Sequence, residues 1–126
     1  MDEKSVLLVE SNIKLRQVIA ASLENKDWRV LEASSGAFAE ELLMREKPDM
    51  LVVEHLPRSE ADAAIIDAYR AEDQHNGYVV LTVLDRPSKN WIAKHQPDAI
   101  VYKPFDVRYL ERRMKQIIQE KGGDGT

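Results

Sequence analysis

Four short apolar runs end in residues that can do chemistry. Val6-Leu7-Leu8-Val9 ends at Glu10-Ser11, Met50-Leu51-Val52-Val53 at Glu54, Tyr78-Val79-Val80-Leu81 at Thr82, and Ala99-Ile100-Val101-Tyr102 at Lys103. Brought to one place, two carboxylates, a hydroxyl and an ammonium would line a ligand crevice. Taken alone, Glu54 is better read as the first hydrated residue after a core strand. The elements that carry these residues decide between the two readings.

Runs of this length, rich in Val and Leu and bounded by turn residues, read as strands covered on both faces. Between them lie helical patterns. Ser11 or Asn12 can cap a helix over 12–25, with Leu15, Val18, Ile19, Ser22 and Leu23 on one face. A short strand over 28–33 follows the Lys26-Asp27 turn, and Ser34-Ser35-Gly36 breaks it. Residues 37–46 are strong helix formers that stop at Lys47-Pro48. The third strand spans 49–54. Ser59-Glu60-Ala61-Asp62 is a helix-start pattern, and Ala61, Ala64, Ile65, Ala68 and Tyr69 predict a helix over about 60–73. Asn76-Gly77 marks the turn into the fourth strand. A weaker helix spans about 88–95 and closes at Gln96-Pro97-Asp98. The fifth strand covers 99–102. Asp106 caps a last helix with Val107, Leu110, Met114 and Ile117 on one face. Strand and helix alternate five times, so the expected fold is α/β: a doubly wound parallel sheet with helices on both faces. In such a sheet the C-terminal ends of the strands share one edge, where ligands bind. Glu10, Glu54, Thr82 and Lys103 are therefore expected to converge.

Composition bounds the alternatives. With 126 residues, 44% of them hydrophobic and 32% charged, the chain fits one domain with its own core. Residues 1–121 are assigned to that domain. Gly122-Gly123-Asp124-Gly125-Thr126 is read as a flexible tail, either a natural linker or a cut point. The absence of cysteine excludes thiolate metal sites and cysteine nucleophiles and fits a reducing cytoplasm. A net charge of -4 argues against direct nucleic-acid binding. No apolar run is long enough to span a membrane, and the acidic N-terminus is not a signal peptide. Neither a G-x-G-x-x-G, a P-loop nor a G-x-S-x-G elbow is present, so a flavodoxin-like cofactor binder or hydrolase has no motif behind it, and no enzymatic activity is expected. His55, His75 and His95 share no metal-ligand spacing. His55 is expected to point away from Glu54, because side chains alternate along a strand.

The markers in order are Val6-Leu7-Leu8-Val9-Glu10, Val30-Leu31-Glu32-Ala33 with Gly36, Pro48-Asp49 leading into Glu54, Val80-Leu81-Thr82, and Lys103-Pro104-Phe105. Over residues 5–121 the chain resembles the receiver domain of bacterial two-component response regulators. The resemblance implies strand order 2-1-3-4-5. It puts Glu54 at the position of the aspartate that accepts a phosphoryl group from a histidine kinase. It also puts Glu10 and Ser11 at the acidic pair that helps to hold Mg²⁺, Thr82 and Ile100 at the two switch positions, and Lys103 at the lysine that contacts the phosphate.

Five departures fall on this one site. Glu54 replaces aspartate. Ser11 replaces an acid, which removes a metal ligand. Val83 stands where a very small residue is usual and is expected to crowd the site. The step from Glu54 to Pro57 is one residue short, without the glycines that normally follow. Ile100 is not aromatic, and Tyr102 lies on the opposite face from Lys103 by alternation.

The expectation is an atypical receiver that works by protein–protein contact without aspartyl phosphorylation, Glu54 standing in for the phosphorylated residue. No cofactor is expected. Any residual Mg²⁺ site would rest on Glu10 and Glu54. The alternative is a conventional receiver with weak Mg²⁺-dependent phosphorylation. The expected partners are a histidine kinase, an output domain or another signalling protein, with homodimerisation through the 88–121 face. On that face, Trp91 is either an exposed anchor or a core residue, and Glu111-Arg112-Arg113-Met114-Lys115 is read as a solvated stretch.

Overall fold

The computed structural model describes residues 3–71 and 77–121. Five strands and five helices alternate: β1 Lys4–Val9, α1 Ile13–Glu24, β2 Trp28–Ala33, α2 Gly36–Glu46, β3 Met50–Glu54, α3 Ala61–Ala71, β4 Tyr78–Val83, α4 Lys89–His95, β5 Ala99–Tyr102 and α5 Val107–Lys121. All strand pairs are parallel, in the order β2-β1-β3-β4-β5, the expected fold and order. Among the described residues no helix is long and apolar enough to cross a membrane. The readings of His75, Asn76, the end of the predicted 60–73 helix and the 122–126 tail lie outside the described residues.

Alternation along the strands splits the interior into two cores. One face of the sheet gives Val6, Leu8, Met50, Val52 and Val80 to a cluster closed by Ile19 and Leu23 of α1 and by Leu110, Met114 and Ile117 of α5. The other face gives Leu7, Leu51, Val53, Leu81 and Val83 to a cluster closed by Leu42 and Leu43 of α2 and by Ile65, Ile66 and Tyr69 of α3. A strand with apolar side chains on both faces shows no alternation in sequence, which is why continuous runs were the right signal.

Two junctions use the same device to turn a helix into a strand. Lys47 and Gln96 cap α2 and α4 in the left-handed conformation, φ 49° and 47°, and Pro-Asp follows each. The aspartate then serves a backbone amide of the sheet. Asp49 Oδ2 accepts from the N–H of Ser5 at 2.8 Å, and Asp98 Oδ2 from the N–H of Val79 at 2.7 Å. Buried Tyr69 donates to the carbonyl of Pro48 at 2.7 Å, and its ring covers Gly77 so closely that a Cβ there would lie 1.7 Å from the hydroxyl.

Several expected faces are corrected. Val18 is 57% exposed, whereas Ala20, two residues on, is buried in the α1 core. The buried stripe of α3 is Asp62, Ile65, Ile66 and Tyr69, whereas Ala61 and Ala64 face outward, because the larger side chains claim the sheet. The fourth strand runs on through Thr82 to Val83, whose side chain fills the second core. On α5, Glu111 and Met114 are buried, so the 111–115 stretch is not a solvated face. Glu111 pairs with Lys115 at 3.2 Å, one turn along.

Candidate functional site

The parallel register fixes the site. Val9 aligns with Val53, and Glu54 with Thr82, so Glu10 and Glu54 leave neighbouring strands at the same edge. The chain leaving β5 brings Lys103 to that edge, and its N–H donates to the carbonyl of Val83 at 2.7 Å. Glu10, Glu54 and Thr82 are buried, at 2%, 6% and 3% exposure. Acids are seldom this buried unless they are paired.

Both are paired with one ammonium. Lys103 Nζ lies 2.9 Å from Glu10 Oε1 and 3.2 Å from Glu54 Oε1. The outer oxygens accept from the backbone at the start of α1: Glu54 Oε2 from the N–H of Ser11 at 2.7 Å, and Glu10 Oε2 from the N–H of Asn12 at 3.0 Å. The sequence favours this turn because Asn12, not Ser11, caps α1, its Oδ1 accepting from the N–H of Leu15 at 3.0 Å. Arg16, one turn on, donates to the carbonyl of Glu10 at 2.8 Å.

The two carboxyl groups divide their roles by environment. Burial pushes Glu10 up, and the nearby Glu54 charge adds to this; bonds from Lys103 and Asn12 only partly offset them, so Glu10 holds its proton more tightly than usual. Burial also raises Glu54, but the hydroxyl and N–H of Ser11, the Glu10 carboxyl and the Lys103 charge together outweigh it and leave Glu54 below the usual carboxylate range. For Lys103, desolvation would favour the neutral amine, yet the bond to Glu10 and the two carboxylates prevail and hold it above its ordinary value. Ionised Glu54 facing charged Lys103 is the result.

This donor set does not fit Mg²⁺. That ion needs near-octahedral oxygen ligands, with at least one or two carboxylates free to turn toward it. Here every carboxylate oxygen of Glu10 and Glu54 already accepts a bond, and the ammonium stands between the two groups where a cation would sit. Among the described residues no cluster of His, Cys, Asp and Glu could hold a metal ion.

The residues expected to converge divide. Glu10, Ser11, Glu54 and Lys103 form the cluster. Thr82 joins through its backbone, its carbonyl accepting from the N–H of His55 at 2.8 Å. Ile100 is half-buried against the second core, while Tyr102 is exposed, its hydroxyl accepting from Arg86 at 3.3 Å. The short step after Glu54 is taken by Pro57-Arg58, with Arg58 in the left-handed region at φ 69° and the N–H of Ser59 donating to the carbonyl of Leu56 at 3.1 Å. An arginine thus holds a backbone conformation that favours glycine. Behind Glu54 lies a cavity of about 220 Å³ lined by Ser34, Ser35, Gly36 and Asp62.

Sequence reasoning missed a second cluster beside the first. His55 does turn away from Glu54, but into a 2.5 Å contact between its Nδ1 and Asp62 Oδ2. Its ring stands against Trp91, which also stacks on His95. Trp91 is half-buried and packs on the second core, so it is not a free anchor. Nothing in the spacing of His55, Asp62, Trp91 and His95 signals the group, because it crosses a turn and two helices.

No protein-family model matches the chain. In sequence it is 24% identical over 123 residues to the sensor histidine kinase TmoS of Ectopseudomonas mendocina, covering 95% of this chain but 12% of that protein. It is 25% identical over 122 residues to the phosphate regulon transcriptional regulatory protein PhoB of Pseudomonas aeruginosa, covering 94% of this chain and 53% of that one. The chain therefore spans about half or less of the curated relatives it matches. Among solved structures, the receiver domain protein of Methanospirillum hungatei superposes with a TM-score of 0.82 at 19% identity, over 97% of this chain and all of that one (100%). The chemotaxis protein CheY4 of Vibrio cholerae gives 0.81 at 18% identity, over 92% and 99%. The chain has the fold of response-regulator receiver domains, and over nearly its whole length it is similar in sequence to part of a transcriptional regulator and part of a sensor kinase.

Proposed function

We propose that this domain is a receiver-type signalling module of two-component systems that works by protein–protein contact, with Glu54 in place of a phosphorylated aspartate and without Mg²⁺. One observation carries this reading: Lys103 Nζ is within 3.2 Å of both Glu10 and Glu54, so the lysine expected to contact a phosphate is already held by carboxylates. Glutamate carries its charge one methylene farther than aspartate, and so reaches the ammonium with no phosphoryl group between. Two acids share one cation, and Ser11 contributes hydrogen bonds instead of a third negative charge. The like-charge repulsion that a metal would offset is correspondingly smaller. The module is a binding domain, not an enzyme, and its partners are a histidine kinase, an output domain or another signalling protein.

The test is incubation with Mg²⁺ and acetyl phosphate, followed by intact-mass measurement. No phosphoryl adduct is expected. A stable adduct that disappears in Glu54→Ala would overturn the reading in favour of a working phosphoacceptor.

A further inference from the structure

We propose that His55 is a positioning residue that couples the state of Glu54 to the placement of α4. This rests on the reading that Glu54 sets the state of the domain.

Glu54 and His55 are consecutive, and their side chains diverge to different elements. Glu54 reaches Ser11 and Lys103. His55, 13% exposed at its side chain, reaches Asp62 on α3. Its ring edge meets Trp91 of α4 at a centroid distance of 4.9 Å and an interplanar angle of 63°. Trp91 in turn lies 4.6 Å from the ring of His95, and His95 Nδ1 is 3.1 Å from Asp67, back on α3. Asp62–His55–Trp91–His95–Asp67 is therefore a continuous brace that leaves α3, crosses α4 and returns to α3.

Two properties make the brace a coupling device and not mere packing. First, α4 has only seven residues, Lys89–His95. A helix this short has no stability of its own in water, so its position is set by what it touches. Its partly or fully buried residues are Trp91, Ile92 and His95, and two of these three are in the brace. Among the described residues α4 is also tied to α3 at its C-terminal end, where Arg70 donates to the carbonyl of His95 at 3.1 Å. Second, Asp62 is 3% exposed, and among the described residues its Oδ1 has no hydrogen-bond partner. The whole carboxylate depends on His55. If His55 shifted, the buried carboxyl group would lose the one side-chain partner it has among the described residues, so the dyad resists small displacements and moves as a unit. The backbone N–H of His55 is pinned to Thr82. A change in how Glu54 is held thus acts on His55 through the one peptide between them, and reaches α4 through the ring of Trp91.

Incorporating 5-fluorotryptophan into the full chain gives one fluorine resonance for Trp28 and one for Trp91, assigned by Trp91→Phe. Glu54→Gln is expected to shift the Trp91 resonance and leave that of core-buried Trp28 in place. The same change made in His55→Leu should shift Trp91 at least fivefold less. Asp62→Asn, isosteric at the buried site, should reduce the shift in the same direction and serves if His55→Leu does not fold. A Trp91 shift undiminished in both backgrounds overturns the proposal. So does a Trp91 resonance that ignores Glu54→Gln in the otherwise unaltered chain. The acetyl phosphate experiment judges Glu54 separately: an adduct there would sink the reading of Glu54 and leave the Trp91 response to decide the coupling.

Discussion

At the edge of the sheet where β3 and β5 begin, Asp49 and Asp98 each serve a backbone amide of a neighbouring strand. At the opposite edge, where β1 and β3 end, Glu10 and Glu54 share one lysine. The acids at the starting edge sit in a repeated Pro-Asp junction, Asp49 exposed and Asp98 half-buried, and do the work of a cap. Those at the far edge are nearly inaccessible, and their oxygens are satisfied by an ammonium and by the two amides that lead into α1. The same residue class at the two ends of buried strands thus has two uses. At one end it saturates a backbone that would otherwise lack a partner. At the other it concentrates charge, which costs free energy unless a cation stays in place. That contrast is why the far edge is taken as the candidate functional one.

The largest expected effect follows from removing the cation. Lys103→Met leaves two buried carboxyl groups against each other and is expected to cost about 3 kcal/mol at pH 7 in urea unfolding. The pH dependence has a definite sign. The Lys103 contribution is complete below its ordinary value of 10.5 and is lost as pH rises through its raised folded value. The Glu54 contribution is present above the ordinary 4.5 and is lost as pH falls through its lowered value. Glu10 acts oppositely: stability declines as pH rises from 4.5 toward its raised value. The deficit of Lys103→Met should accordingly shrink as the medium is acidified and the two carboxyl groups take up protons. A deficit independent of pH would mean that Lys103 matters only for packing.

The starting edge should respond differently. Asp98→Ala removes the acceptor for the N–H of Val79 and the partner of Arg70 and Lys121, and is expected to cost about 2 kcal/mol. It should leave the amide resonances of Ser11, Glu54 and Lys103 where they are. If those resonances moved, the two edges would not be independent.

A smaller effect probes the acid count at the far edge. Ser11→Asp adds a third carboxylate and removes a hydroxyl that favours ionised Glu54. The variant should lose about 1 kcal/mol without metal, and regain it in millimolar Mg²⁺, as read by thermal unfolding. The unaltered chain should unfold at the same temperature with and without Mg²⁺. A Mg²⁺-dependent rise in the unaltered chain would show that Ser11 does not remove the metal requirement.

The fold was legible because its signals are local and repeated. Each apolar run had the length of a strand and each intervening stretch the period of a helix, and Lys47-Pro48 stopped a helix where it was expected to. The convergence of Glu10, Glu54 and Lys103 followed from parallel topology, since strand ends in such a sheet have nowhere else to meet. Finer orientation did not follow. On α3 the choice between Ala61 and Asp62 as the buried side depends on His55, seven residues earlier in the chain, which supplies the partner that lets an aspartate go inside. On α5, Glu111, which a charge-based reading placed in water, is buried beside Leu110 and Met114. Trp91 was undecidable because its neighbour His55 comes from a different element, the turn after β3. In each case the deciding contact lies between segments whose relative placement no local pattern encodes.

The central claim is that Glu54 and Lys103 hold each other without metal or phosphate. A double-mutant cycle built from Glu54→Gln, Lys103→Met and the double variant, measured by urea unfolding in chelator and again in Mg²⁺, tests it most directly. The predicted coupling is about 1.5 kcal/mol or more, equal in the two conditions. A coupling near zero in chelator, or one that appears only with Mg²⁺, would contradict it.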